Sequence, residues 1–297
     1  MVEITQRTIE GRFLLRPSER LNALVAGCLA RAQKNTAAEV HAVAVLSNHL
    51  HLLCSFETVE QMAAFVGQLK TNLSKEISRL HGWKGPLFAG RYHAVPLSDE
   101  PEIHIQRLKY LLSQGAKEGL VLSPSDWPGI HCARALAAGD PILGVWVDRT
   151  GLYAARQSDP SLSEAAFTEH LEIQITPLPC FAQVSAEIRR STVRALIEEV
   201  EAEALGMHRR RRTAPIGATE ICRRKPRDRP RQDPTSRKPH FHATRAVYGQ
   251  LMEAFRIFTA AYRAAADRLA AGDRSAQFPE NCFPPRLPFV QPAPAFR

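Results

Sequence analysis

The sequence lacks the patterns that mark several large classes of protein. Its six cysteines are scattered and form no Cys-x-x-Cys pair, which argues against a zinc ribbon and against a disulfide framework. No apolar run approaches the roughly 20 residues of a membrane span, and no apolar core of a secretory signal is visible. We therefore expect a globular protein with free thiols, located in the cytoplasm and without a membrane partner.

Charge is distributed unevenly along the chain. The net charge is +3 over residues 1–135, −6 over residues 136–204 and +12 over residues 205–297. A strongly basic end suggests a polyanionic partner, most simply nucleic acid. A membrane surface is the weaker alternative, because the arginine run lies in proline-rich sequence and not in an amphipathic basic helix.

Hydrophobic periodicity and composition divide the chain into four parts. Residues 1–135 follow the order β-α-β-β-α-β-α, with 2–9 as an edge strand, which predicts an α+β domain with an antiparallel sheet and helices on one side. Residues 136–207 form a mixed, acidic extension. Residues 208–239 form a basic Arg/Pro-rich linker in which we expect no stable structure. A helix and a proline-rich tail, at 240–297, complete a mostly helical C-terminal extension.

One predicted strand carries two histidines in the stretch SNHLHLL, residues 47–53. Because side chains alternate along a strand, His49 and His51 project from the same face, while Leu50 and Leu52 point into a core. Two neutral imidazoles held side by side on a rigid strand form half of a divalent-metal site. A third ligand must come from another part of the chain.

A predicted helix over residues 99–114 offers a ligand and a nucleophile. Arg107, Tyr110 and Gln114 lie within about 60° of one another around this helix, roughly opposite its apolar face. Gln114 supplies an amide oxygen for Mg²⁺ or Mn²⁺. A phenol has an ordinary pKa of about 10 and is a poor nucleophile in bulk water. Positioned in line with a polarised phosphodiester, it could attack and form a 5′-phosphotyrosine.

Other histidines and tyrosines compete for these roles. His240 and His242 have the same spacing but stand beside the basic linker without a flanking strand, so we expect no metal there. Tyr92 lacks a potential ligand one helical turn away, so we expect it to pack near the substrate groove. His41 is expected to be a histidine of the surface or of a strand face.

Several basic residues are candidates for contacts with DNA phosphates. Arg91 is a more plausible phosphate contact than a core residue, because burying its charge is costly. Lys70 and Lys75 lie on the polar face of a predicted helix, which is either solvated or lines a nucleic-acid groove. The complete predicted set is Lys70, Lys75, Arg91, Arg107, Arg209, Arg210, Arg211 and Arg212.

The stretch SNHLHLL resembles the His-hydrophobe-His (HUH) motif of single-strand DNA transposases of the one-tyrosine class. Residues 86–92 (PLFAGRY) and 110–121 (YLLSQGAKEGLV) resemble two further segments of that family, and Trp127-Pro128 resembles a common end of its domain. Order and separation agree over about residues 1–135. Among the subfamilies the chain is most similar to the REP-associated tyrosine transposases, which act on hairpin-forming repeats.

The resemblance implies a ferredoxin-like fold with the histidine pair on a central strand. It implies His49, His51 and Gln114 as metal ligands and Tyr110 as the nucleophile. The implied activity is metal-dependent cleavage and rejoining of single-stranded or hairpin DNA, with no small-molecule substrate. Gln114-Gly115 stands where the repeat-associated group usually has Asn-Pro. The resemblance therefore leaves open whether this chain recognises such repeats, while it still implies Gln114 as a metal ligand.

Two alternatives belong to different classes of function. A domesticated DNA- or RNA-binding protein would keep the fold without strand cleavage, and the large basic tail favours it. A replication initiator or relaxase is less favoured, because no second tyrosine lies near Tyr110 and no histidine triad is present. The sequence does not decide between a monomer and a homodimer.

Overall fold

The computed structural model describes residues 1–230 and 239–285. The strands are β1 (Val2–Arg7), β2 (Glu39–Leu46), β3 (His49–Ser55), β4 (His93–Pro96), β5 (Leu143–Val147) and β6 (Thr168–Glu172). The α-helices are α1 (Glu19–Thr36), α2 (Val59–His81), α3 (Pro101–Leu112), α4 (Ala133–Ala138), α5 (Arg149–Arg156), α6 (Ala186–Arg211), α7 (Ala218–Arg223) and α8 (Arg245–Ala270). None of these helices is long and apolar enough to cross a membrane.

Four strands form an antiparallel sheet in the order β2-β3-β1-β4. The predicted α+β class, with a ferredoxin-like sheet and a helical C-terminal region, is confirmed, and the histidine strand β3 is central. The prediction of an edge strand at residues 2–9 was wrong, because β1 pairs with both β3 and β4. Val2, Glu3, Ile4 and Gln6 are all buried, so both faces of β1 are covered and its sequence alternates only weakly.

The two long helices of this domain begin at side-chain caps. Ser18 accepts a hydrogen bond from the backbone N–H of Leu21 at the start of α1, and Thr58 accepts one from Gln61 at the start of α2. α2 ends at Gly82, whose φ of +58° is readily adopted by glycine. Both helices therefore begin directly after a capping side chain.

The chain divides into two units, Met1–His242 and Ala243–Arg297. In the first unit the hydrophobic core extends beyond residue 135, since Ile173, Val193 and Ile221 belong to the same buried cluster as the sheet residues. The boundaries at residues 135 and 207 stay predictions from composition, and this core runs across both of them.

The described part of the predicted basic linker 208–239, residues 208–230, contains helical segments. α6 continues to Arg211, and α7 follows at Ala218–Arg223. The expectation of no stable structure was wrong for residues 208–230, because long-range contacts, including the burial of Ile221, compensate for their low apolar content. Residues 231–238 lie outside the described part.

The second unit contains the predicted C-terminal helix as α8, Arg245–Ala270. The residues after it fold back on it. The ring of Tyr262 lies 5.4 Å from that of Phe278, and its hydroxyl donates a hydrogen bond to the backbone oxygen of Phe283. The rest of the predicted proline-rich tail, 286–297, lies outside the described residues.

Candidate active site

Strand β3 presents the two histidines side by side, with 5.1 Å between the ring centroids of His49 and His51. Nδ1 of His49 lies 2.7 Å from Oδ1 of Asn48, and Nδ1 of His51 lies 3.1 Å from Oε1 of Glu3. Because each of these oxygens can only accept, Nδ1 carries the proton in both neutral rings and Nε2 carries the lone pair. Such partners orient metal-binding histidines in proteins.

Both imidazoles are held in the form that binds a metal. Burial, followed by the neighbouring His51, lowers the pKa of His49 to about 3. Burial also lowers the pKa of His51, and this outweighs the raising effect of Glu3. Each ring is therefore neutral near pH 7 and has a lone pair to donate.

The helix α3 brings the predicted phenol and amide to the same place. The ring centroid of Tyr110 lies 5.9 Å from that of His51. Gln114 is 1% exposed, and its Nε2 donates a hydrogen bond to the backbone oxygen of Tyr110 at 3.1 Å. Although the helix ends at Leu112, two residues before the predicted end, the four sequence-predicted residues converge.

Two positive charges flank the ring of Tyr110. The guanidinium carbon of Arg107 lies 4.0 Å from the ring centroid, and Nζ of Lys117 lies 3.7 Å from it. Cations at such distances are attracted to the face of an aromatic ring. They restrict the position of the ring, while Tyr110 itself stays 37% exposed to solvent.

Glu3 is a site residue that the sequence reasoning missed. It is 4% exposed, and its carboxylate lies 3.1 Å from Nδ1 of His51, 2.5 Å from Arg107 and 3.0 Å from Nε2 of His242. Burial alone would raise the pKa of Glu3, but hydrogen bonds from His242 and His51 and the charge of Arg107 lower it well below its usual range. One ionised carboxylate thus links a candidate metal ligand to the residue that flanks Tyr110. Its only signal in the sequence is an acidic residue between two apolar residues, Val2 and Ile4, of a short predicted strand.

The second histidine pair has a structural partner. The backbone of His242 is hydrogen-bonded to Pro96 and Ser98, so it forms a short bridge beside β4. This bridge is isolated and belongs to none of the named strands, and the ring of His242 contacts Glu3. That no metal binds at this pair stays a prediction. His41, expected at a surface or strand face, is 1% exposed, with both ring nitrogens hydrogen-bonded, so its polar atoms are satisfied within the fold.

An open cleft of about 1090 Å³ contains His49, His51, Tyr110 and Gln114. Its walls also carry three exposed basic residues that the sequence did not single out. They are Arg7, Lys117 and Arg224. The cleft therefore combines the candidate metal ligands and nucleophile with positive charge suited to a polyanion.

The basic residues predicted to contact DNA do not line this cleft. Arg107 is only 15% exposed, and its guanidinium is paired with Glu3 and lies against the ring of Tyr110, while its contact with phosphate stays a prediction. Lys70 donates a hydrogen bond to the backbone of Gly90. Lys75, Arg91 and Arg209, Arg210, Arg211 and Arg212 are exposed, and their contact with phosphate stays a prediction.

Paired histidines on a central strand, with a tyrosine and a glutamine from the following helical segment, define the class of site implied by the HUH resemblance. Residues 16–114 match the model of a family described as "Transposase IS200 like". This match, over about a third of the chain, agrees with the predicted resemblance. No curated protein matches the chain.

Two solved structures are similar to parts of the chain. One, from Deinococcus radiodurans R1, is of a protein assigned as a transposase. It is 18% identical with a TM-score of 0.28, and the match covers 36% of this chain and 85% of that chain. The other is a REP-associated tyrosine transposase bound to a REP hairpin. It is 19% identical with a TM-score of 0.34, and the match covers 48% of this chain and 82% of that chain.

Proposed function

We propose that this chain cleaves and rejoins single-stranded DNA through a covalent 5′-phosphotyrosine at Tyr110. The observation that carries the proposal is the convergence of His49, His51, Gln114 and Tyr110 in one basic cleft. Single-stranded or hairpin DNA is the proposed partner, in line with the resemblance to transposases that act on hairpin-forming repeats. The cytoplasm is the proposed compartment.

His49, His51 and Gln114 would hold Mg²⁺ or Mn²⁺. Within residues 1–230 and 239–285, no three His, Cys, Asp or Glu side chains are grouped to hold a metal ion, so a third ligand must be of another type. The buried amide of Gln114 fits, since amide oxygens bind these hard cations. When bound, the cation would polarise the scissile phosphate and offset the charge that develops on its oxygens.

The chain's own residues prepare the nucleophile. Arg107 and Lys117 hold the Tyr110 ring between them and place positive charge beside the reacting phosphate. The phenol oxygen forms a bond to phosphorus, the bond from phosphorus to the 3′ oxygen breaks, and that oxygen leaves as a 3′-hydroxyl. The phenol proton leaves to solvent, to which Tyr110 is 37% exposed.

Rejoining is the same exchange in reverse. A 3′-hydroxyl attacks the phosphotyrosine, the bond between phosphorus and the tyrosine oxygen breaks, and Tyr110 regains its proton. Because one phosphodiester is exchanged for another at each step, the ester bond energy is conserved and no nucleoside triphosphate is required.

The proposal is tested by trapping the covalent intermediate. The full chain is incubated with a 3′-labelled hairpin oligonucleotide, whose label stays on the fragment joined to Tyr110, and with Mg²⁺ or Mn²⁺, and is then run on a denaturing gel. We expect a protein–DNA adduct that is lost in Tyr110→Phe and retained in Tyr92→Phe, which removes a hydroxyl outside the cleft lining. If the wild-type chain forms no adduct with either ion, the proposal is wrong. Salt-dependent binding without an adduct would favour the alternative of a nucleic-acid-binding protein without strand cleavage.

A further inference from the structure

Residues 213–230, here called the strap, form one wall of the cleft. Ile216, Ile221, Arg224 and Pro230 of the strap line it together with residues of β1 and of the segment that follows α3. The strap lies about 100 residues after Tyr110 in the sequence. A segment beyond the family match thus contributes to the site.

The strap is attached to the domain on the side of α3. The backbone N–H groups of Ile216 and Gly217 donate hydrogen bonds to the carbonyl oxygens of Gly119 and Leu120, at 3.1 and 2.8 Å. Gly119 and Leu120 follow Lys117 in the chain. This end of the strap is therefore fixed beside the loop that carries Lys117.

The strap is also attached to the segment that follows β1. The N–H of Phe13 donates to the backbone oxygen of Asp228 at 2.9 Å, and the guanidinium of Arg12 donates to that of Arg227 at 2.8 Å. Between the two ends, Ile221 is 3% exposed and belongs to the main core. These contacts keep the strap in place without a bound ligand.

The exposed charge of the strap is predominantly positive. Its basic residues are Arg223, Arg224, Lys225, Arg227 and Arg229. Arg224 alone among them lines the cleft, which Arg7 and Lys117 from other segments also line. Its pairing with Glu220, at 3.3 Å, is between two half-exposed side chains and is expected to be weak.

The two carboxylates at the cleft are already engaged. Glu10 is paired with Arg12 at 2.6 Å and with Arg229 at 3.2 Å. Glu118 accepts a hydrogen bond from the N–H of Gly115 at 2.6 Å. Glu118 also lies 3.7 Å from Nζ of Lys117, a pair between two partly exposed side chains that is expected to be weak. Arg7, Lys117 and Arg224 thus still place positive charge at the cleft.

The apolar side chains that line the cleft beside these cations favour single-stranded DNA over a duplex as the ligand. Phe13, Leu120 and Ile216 line the same cleft. Unpaired bases pack on aromatic and apolar groups while the backbone follows basic residues, whereas a duplex keeps its bases stacked inside. The lining therefore suits a strand with exposed bases.

We propose that the strap completes a binding track for single-stranded DNA, in which Arg224, Lys117 and Arg7 contact phosphates of the strand that passes over the histidine pair. This inference rests on the proposed function, because it assigns the same cleft to the same class of substrate. It adds that the strap, which lies outside the residues that match the transposase family, helps to hold the strand.

The test compares two neighbouring arginines of the strap in full-length chains that carry Tyr110→Phe, so that no covalent step occurs. Binding of a fluorescein-labelled oligothymidylate is followed by anisotropy over a series of salt concentrations. Arg224→Ala should weaken binding and reduce the slope of log K against log salt by about 0.7, the value for one phosphate contact with a single strand. Arg223→Ala, exposed but outside the cleft lining, should leave the slope unchanged. Thermal unfolding of both variants checks that the fold is kept.

The other outcomes overturn the proposal. An equal loss of affinity in both variants would mean that the strap adds only general charge, and no loss in either would mean that the strand does not touch it. Tighter binding by Arg224→Ala would mean that the strap covers the cleft instead of forming the track. Adduct formation by the Tyr110-intact chain, measured in parallel, separates failure of this inference from failure of the proposed function.

Discussion

Replacing Glu3 by glutamine should destabilise the first unit and weaken its metal site together. The side chains of Glu3 and Arg107 are 5% and 15% exposed, so the neutral amide would leave a mostly buried guanidinium without its counter-charge. Breaking a buried pair by removing one partner costs about 3–5 kcal/mol. We expect the lower end, about 3 kcal/mol, because glutamine keeps one oxygen that can accept a hydrogen bond.

The effect is measured by urea and thermal unfolding without metal or DNA. For a unit of this size about 1 kcal/mol corresponds to roughly 2–4 °C in Tm, so a fall of about 6–12 °C is expected. Calorimetric titration with Mn²⁺ should show an affinity about 10–100-fold lower, because His51 loses the carboxylate that orients it. A double-mutant cycle with Arg107→Met should give a coupling energy of at least about 1 kcal/mol. Unchanged stability together with unchanged Mn²⁺ affinity would refute the role assigned to Glu3.

Two further predictions concern the His49 ring and the arginine run. Asn48→Ala removes the oxygen that fixes the His49 ring and should lower Mn²⁺ affinity about 10–100-fold in the same titration, while Asn48→Asp, which keeps the acceptor, should restore most of it. Equal affinity in Asn48→Ala and the wild type would show that the ring needs no such partner. Replacing Arg209–Arg212 by alanine should reduce the slope of log K against log salt for DNA binding by up to about 0.7 for each phosphate that these arginines neutralise. Adduct formation should be retained at low salt. An unchanged slope would remove this run from the DNA interface.

Local spacing determined the chemical part of the site. A separation of two residues on a strand places His49 and His51 on one face, and a separation of four places Gln114 one turn after Tyr110. The directions in which these side chains project follow from local backbone geometry. The helix ends at Leu112, but the N–H of Gln114 still donates to the backbone oxygen of Leu111, so the chain continues as a turn up to Gln114. Side-chain caps likewise set where α1 and α2 begin, because a cap needs only neighbours within three residues.

Only the tertiary structure decided what surrounds these groups. Glu3 reaches Arg107 and His242 through the position of β1 inside the sheet, and the strap reaches Phe13 from more than 200 residues away in sequence. No periodicity encodes such pairs, because strand register and the burial of distant residues such as Ile221 depend on the whole core. The sequence by itself thus determined which side chains can do chemistry and in which direction they project. Long-range packing decided which charged residues orient these side chains and which distant segment forms a wall of their cleft.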